Sequence, residues 1–163
     1  MSQLIVRPGE QRDVDAVQAI ANNAKNLPYL GGFTMRGYIE DLYVKNDRYY
    51  PLNVVAELDG EIVGFSDSGD KVAYIQYDLV AVREELRRNK IGTAMYAFHL
   101  YRGALMGRRF MRDQTIHFNT VMQEGYLPYH GFEHLAGLRS RVRNFSTLNW
   151  WMLPINSKSL DHM

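Results

Sequence analysis

A chain of 163 residues with 46% hydrophobic and 23% charged residues is long enough to bury one core and has the balance of an ordinary globular domain. It contains no cysteine, which excludes disulfides, thiolate nucleophiles and cysteine-rich zinc sites. The formal charge of +1 supplies no global attraction to nucleic acid or anionic membrane; no run reaches the roughly 18 apolar residues of a membrane span, and the N-terminus lacks a signal-like apolar core, so a cytoplasmic protein with no metal is expected.

Leu4–Arg7 is a short apolar strand candidate stopped by Pro8-Gly9. Asp13 can cap a helix in which Val14, Val17, Ala21 and Ala24 recur at helical spacing. Asn26 to Gly32 holds Pro28 and a glycine pair and reads as a loop. A second helix is predicted from Thr34 to about Lys45, with Met35, Tyr38, Ile39 and Leu42 on one face. Val54–Leu58 and Glu61–Ser66 are strand-like runs separated by Asp59-Gly60, a dipeptide suited to the positive φ angles of a tight hairpin. Ser66–Asp70 reads as a polar loop and Val72–Val82 as a long strand. A basic loop, Arg83–Lys90, leads into a helix from Ile91 to about Met106, with a predicted stripe of Ile91, Met95, Phe98 and Leu105. Gln114–Phe118 looks like a strand. Gly125 and Pro128 argue against a long helix over 124–131, and Leu135–Val142 and Ser146–Leu153 read as two closing strands. Consecutive strands around a hairpin, then one strand–loop–helix unit, predict an α/β chain with a mixed sheet. No repeat or linker divides it, so residues 1–163 are expected to form one domain, structured over about 3–155 with a short tail.

The stretch with chemical content is Val80-Ala-Val-Arg-Glu-Glu-Leu-Arg-Arg-Asn-Lys-Ile-Gly-Thr93. It joins a strand to a helix N-terminus, where unpaired N–H groups and the helix dipole favour an anion such as a pyrophosphate. Gly92 allows close approach to the backbone, and Arg87, Arg88 and Lys90 add attraction for phosphate. A basic turn with one glycine fits the same residues.

This arrangement resembles the acetyl-CoA signature of the GNAT family (Gcn5-related N-acetyltransferases): a valine ending a strand, a glutamate, then Arg/Gln-x-x-Gly-x-Gly/Ala opening a helix. Val82, Glu85, Arg87 and Gly92-Thr93 take those positions, with Lys90 where the first glycine usually stands. The Asp59-Gly60 hairpin before the long strand and Gly131-Phe132 before the last two strands extend the resemblance over about residues 3–155. It implies a GNAT fold with six to seven strands, a V-shaped strand split for acetyl-CoA, and direct transfer of an acetyl group to an amine of a small molecule or protein. Cofactor contacts would come from Val80, Ala81 and Val82 and from Arg87, Arg88, Asn89, Lys90, Ile91, Gly92 and Thr93. A homodimer is left open.

The reaction needs a group to take the amine proton and an acid for the leaving thiolate. Residues two apart share a strand face, which groups Gln76, Asp78, Val80 and Val82. Family members often carry the base at the position of Gln76, which cannot take a proton; Asp78 can. His117 on the next strand is a second candidate, and a water relay is a third. Where the family places an acidic tyrosine this chain has Leu127, flanked by Tyr126 and Tyr129; Tyr126 is preferred. His99, His130 and His134 are expected to be packed or surface residues. Tyr29, Phe33, Tyr38, Tyr43, Tyr49, Tyr50, Trp150 and Trp151 could wall an acceptor site. The alternative reading is a GNAT-fold binding module that docks to another protein; a nucleic-acid binder using Arg139, Arg141 and Arg143 is weaker still.

Overall fold

The computed structural model describes residues 3–30, 39, 52–116, 119–138 and 148–155. The helix predicted over Thr34 to about Lys45, His117 and the arginines at 139, 141 and 143 lie outside these residues. Seven strands form one sheet: β1 (Leu4–Pro8), β2 (Val54–Leu58), β3 (Glu61–Asp70), β4 (Tyr74–Val82), β5 (Phe110–Ile116), β6 (Glu133–Leu138) and β7 (Leu148–Pro154), in the order β1-β2-β3-β4-β5-β7-β6. Only β4 and β5 run parallel; every other neighbouring pair is antiparallel. The hairpin between β2 and β3 turns at Asp59 (φ 51°) and Gly60 (φ 88°), the left-handed pair that the sequence predicts.

Helix α1 (Val14–Ala21) covers one face and helix α2 (Ile91–Leu105) the other. Val14, Val17, Ile20 and Ala21 pack with Val55, Phe65 and Ala81. Ile91 and Met95 pack with Ala56 and Val63, and further along α2 Tyr96 and Leu100 meet Ile75, Tyr77 and Met111. Adjacent strand residues such as Val55 and Ala56 thus serve opposite layers, as a pleated strand requires. Of the predicted stripe of α2, Ile91 and Met95 face the sheet, with Tyr96, His99, Leu100 and Gly103 completing that face, whereas Leu105 is 61% exposed.

The predicted loop Ser66–Asp70 is the second half of β3. Ser66 and Ser68 are buried because α2 satisfies their hydroxyls. His99 is fully buried, with Nε2 2.8 Å from Ser66 Oγ and Nδ1 2.7 Å from Ser68 Oγ. Burial pushes the imidazole down to about 3, so it is neutral and can both donate and accept. β5 begins at Phe110, four residues before the expected strand, and β4 begins at Tyr74 because Val72 sits in a turn at φ 67°. The segment broken by Gly125 and Pro128 forms no long helix, only two short helical pieces. A π-helical stretch, Val121–Tyr126, runs into a single α turn, Leu127–Tyr129, whose early proline needs no N–H partner.

Candidate active site

The parallel ladder between β4 and β5 is short. It pairs Tyr74 through Tyr77 with Phe110 through Asp113 and then stops, although β4 continues to Val82 and β5 to Ile116. Beyond Asp113 the β5 residues pair only with β7. The sheet therefore forks at its centre, and one arm of the fork leads along Leu79–Val82 into the basic loop.

Asp78 stands at the point of the fork. In the β3–β4 register Asp67 faces Leu79 and Ser68 faces Tyr77, so Asp78 is an extra residue with no partner on either side, a β-bulge. The bulge reverses the pleat. Ile75 and Tyr77 face α2 before it, Val80 and Val82 face α2 after it, and Leu79 and Ala81 pack against α1. The expected single face of Gln76, Asp78, Val80 and Val82 does not exist: Gln76 lies on the sheet face away from α2, and Val80 and Val82 lie on the opposite one. Burial raises the Asp78 carboxyl to about 6, with Lys71 and the neighbouring Gln76 amide acting in the opposite direction.

On the α2 side of the fork a polar cluster is almost closed to solvent. Asp113 is 3% exposed, and its Oδ2 has no hydrogen-bond partner. Burial drives its carboxyl well up, and the charge of Asp78 adds to that, both favouring the protonated form. The Tyr77 and Tyr96 hydroxyls are buried and have no aligned partners. Tyr126 closes the cluster, with its ring edge-on to Tyr96 at 6.4 Å and its hydroxyl donating to the Gly92 carbonyl at 2.9 Å. Burial also raises Tyr126 above the ordinary tyrosine range, which keeps its proton on at neutral pH. Tyr129 is 77% exposed and touches His130 edge-on at 5.1 Å. His130 also lies against Tyr96 at 4.4 Å, and burial lowers it to about 4; His134 packs on Trp151 at 4.9 Å.

The basic loop turns through two left-handed residues, Arg88 (φ 67°) and Lys90 (φ 60°), before α2 begins. No side chain caps the start of α2, and its first intrahelical bond runs from the Ala94 N–H to the Lys90 carbonyl, so the amides of the first turn point out of the helix end. Gly92 in that turn faces Tyr126: a Cβ there would lie 3.6 Å from the ring. The Arg87 guanidinium is turned toward the end of α1, where it donates to Asn26 Oδ1 at 2.5 Å. Arg88, Asn89 and Lys90 are exposed. Because Lys90 occupies a conformation that glycine adopts without steric cost, Lys90→Gly is expected to fold normally and gain about 0.5–1 kcal/mol in denaturant unfolding, less any loss of chain entropy. A destabilised variant would place the left-handed residue elsewhere in the loop.

The acceptor candidates divide. Trp151 is core, Trp150 lies on the face away from α2, and Tyr29 is 46% exposed; Phe33, Tyr38, Tyr43, Tyr49 and Tyr50 are outside the described residues. Sequence reading missed Asp113, Tyr77 and the bulge. A signal for Asp113 existed in the alternation Met111, Asp113, Thr115, which puts a carboxyl at an inward position; a bulge has no local signature.

No family model and no curated protein matches the chain. Solved structures do. Ard1 from Thermoplasma volcanium superposes with a TM-score of 0.78 at 18% identity, covering 94% of this chain and 99% of that one. The ribosomal-protein-S18-alanine N-acetyltransferase from Escherichia coli gives 0.76 at 16% identity over 94% and 95%. YncA from Salmonella typhimurium, solved with its cofactor acetyl-CoA, gives 0.72 at 16% identity over 95% of each chain. At these identities the likeness establishes the fold: the chain has the mixed α/β fold of the GNAT acetyltransferases.

Proposed function

We propose that this protein is an N-acetyltransferase that moves an acetyl group from acetyl-CoA directly to a primary amine. The observation that carries the reading is the forked sheet, whose arm ends at an uncapped helix N-terminus. The chain's own residues fit acetyl-CoA there. The outward amides from Lys90 to Thr93 suit the pyrophosphate, and the backbone of Val80, Ala81 and Val82, unpaired by β5, suits the amides of the pantetheine arm. The thioester would then reach the fork, between Asp78 on one side and Tyr126 on the other.

In this reading the amine nitrogen attacks the thioester carbonyl carbon, its proton passes to Asp78 directly or through water, and the C–S bond breaks with its electron pair on sulfur. Tyr126 gives its proton to that sulfur, leaving an amide and the CoA thiol. Asp78 suits the base role because it is ionised above about pH 6 yet partly buried. Tyr126 suits the acid role by its place, with its hydroxyl at the helix end beside the fork. The reading is tested by release of free thiol from acetyl-CoA in a screen of amine acceptors; no release with any acceptor, from protein that binds CoA, would leave the binding-module alternative. Tyr126→Phe should slow turnover by about tenfold to a hundredfold with acceptor KM unchanged. A shift in KM alone would make Tyr126 a wall of the site rather than its acid.

A further inference from the structure

The sheet face opposite α2 carries a second polar group beside the fork. Arg112 on β5 has its Cα paired with that of Gln76 on β4, so in a parallel ladder the two side chains rise from the same face. The Arg112 guanidinium lies over the Trp150 ring on β7, 3.6 Å from its centroid, and 5.6 Å from the centroid of Tyr74, whose ring stacks in turn on Phe110. These aromatic contacts hold the cation in place without using its hydrogens.

The hydrogen-bond inventory of this group is one-sided. Arg112 makes one long bond, from its terminal nitrogen to the Tyr74 hydroxyl at 3.3 Å, and its buried Nε has no partner. Trp150 Nε1 is also buried without a partner, while the Gln76 amide lies beside the Asp78 carboxyl and favours its ionised form. Arg7, Arg83 and Arg108 each pair with a carboxylate; among the described residues Arg112 pairs with none. A partly buried cation, held by aromatic faces, thus has no counter-charge among the described residues. A ligand oxyanion at its outer nitrogens would supply one. The planar fork of arginine matches a carboxylate in particular.

We propose that Arg112, held on the Trp150 and Tyr74 rings, anchors a carboxylate of the acceptor, so that the acceptor is an amino acid rather than a simple amine. This rests on the acetyl-transfer reading for the place of the amine. Asp78 is two residues beyond Gln76 at the fork, and two residues of strand cover about 7 Å, a separation that side chains of this length and a short amino acid span together. The carboxylate engages the outer nitrogens of Arg112 while the amine reaches Asp78. Lys71, whose charge is felt at Asp78, adds to the positive character of the same region.

The test compares matched pairs: L-phenylalanine with 2-phenylethylamine, L-leucine with isoamylamine, and γ-aminobutyrate with propylamine. Dissociation constants are measured by ligand-observed NMR titration, with and without saturating CoA, so the readout does not depend on turnover. At least one amino acid should bind about tenfold or more tighter than its amine, and Arg112→Gln should remove that advantage while CoA affinity and amine binding stay within about twofold. Arg112→Lys, which keeps the charge and loses the fork, should retain part of the advantage and serves if Arg112→Gln does not fold. Equal affinities within every pair, no binding by any amino acid, or an equal loss for both members in the variant overturns the subsite. If the preference holds but CoA does not bind, the acetyl-transfer reading fails and the carboxylate subsite stands. If simple amines are acetylated without preference, the reverse is true.

Discussion

Asp78→Asn is expected to lower the turnover number at pH 7 by about a hundredfold or more while CoA affinity stays nearly unchanged. The reason is positional. Asp78 is the bulged residue at the fork, on neither ladder, so its loss removes a proton acceptor without removing a sheet hydrogen-bond pair. If the acetyl-transfer reading holds, kcat/KM of the native protein should rise with pH through about 6, where Asp78 ionises. This value is set by burial first, with Lys71 and Gln76 acting in the other direction. The variant should lose that limb and regain part of its rate at higher pH, as the amine deprotonates in solution. Stability should move the other way. A carboxyl whose folded value is raised above its unfolded one costs nothing while both states are protonated; the cost grows as pH rises through the unfolded and then the folded value, and it is constant above about 6. Asp78→Asn should therefore be more resistant to unfolding than the native protein at pH 7 and indistinguishable from it at pH 3. A silent Asp78→Asn together with a crippled His117→Ala would move the proton path to the neighbouring strand.

The second large effect is expected at Gly92. Gly92→Trp should abolish CoA binding in calorimetry, a loss of about a hundredfold or more, because an indole in the first turn of α2 would occupy the ground in front of the outward amides and displace Tyr126. Gly92→Ala supplies the control for folding. Its Cβ would sit 3.6 Å from the Tyr126 ring, an ordinary contact, and alanine is a better helix former than glycine, so this variant should fold at least as well as the native chain. Retained CoA affinity in a folded Gly92→Trp protein would place the cofactor away from this helix end.

What the sequence determined by itself is local. The Asp59-Gly60 turn followed from the φ angles those residues tolerate, the start of α2 at Ile91 from the change of period after a basic loop, and the strand–loop–helix unit around Gly92 from residue types at fixed spacing. The mixed α/β class followed from the order of those units. Tertiary structure decided the rest. Ser66 and Ser68 belong to a central strand only because His99, some thirty residues later, answers their hydroxyls; a polar stretch without that partner is a loop. Asp113 entered β5 because β4 and β7 both pair with it, against its own weak strand preference. The inward face of α2 was set by which residues the sheet could cover. Above all, the side chains that meet at the fork depend on one bulge. A single unpaired residue at Asp78 reverses the pleat, and period-two reasoning carries no information across it, since the extra residue comes from the pairing of two strands and not from either strand alone.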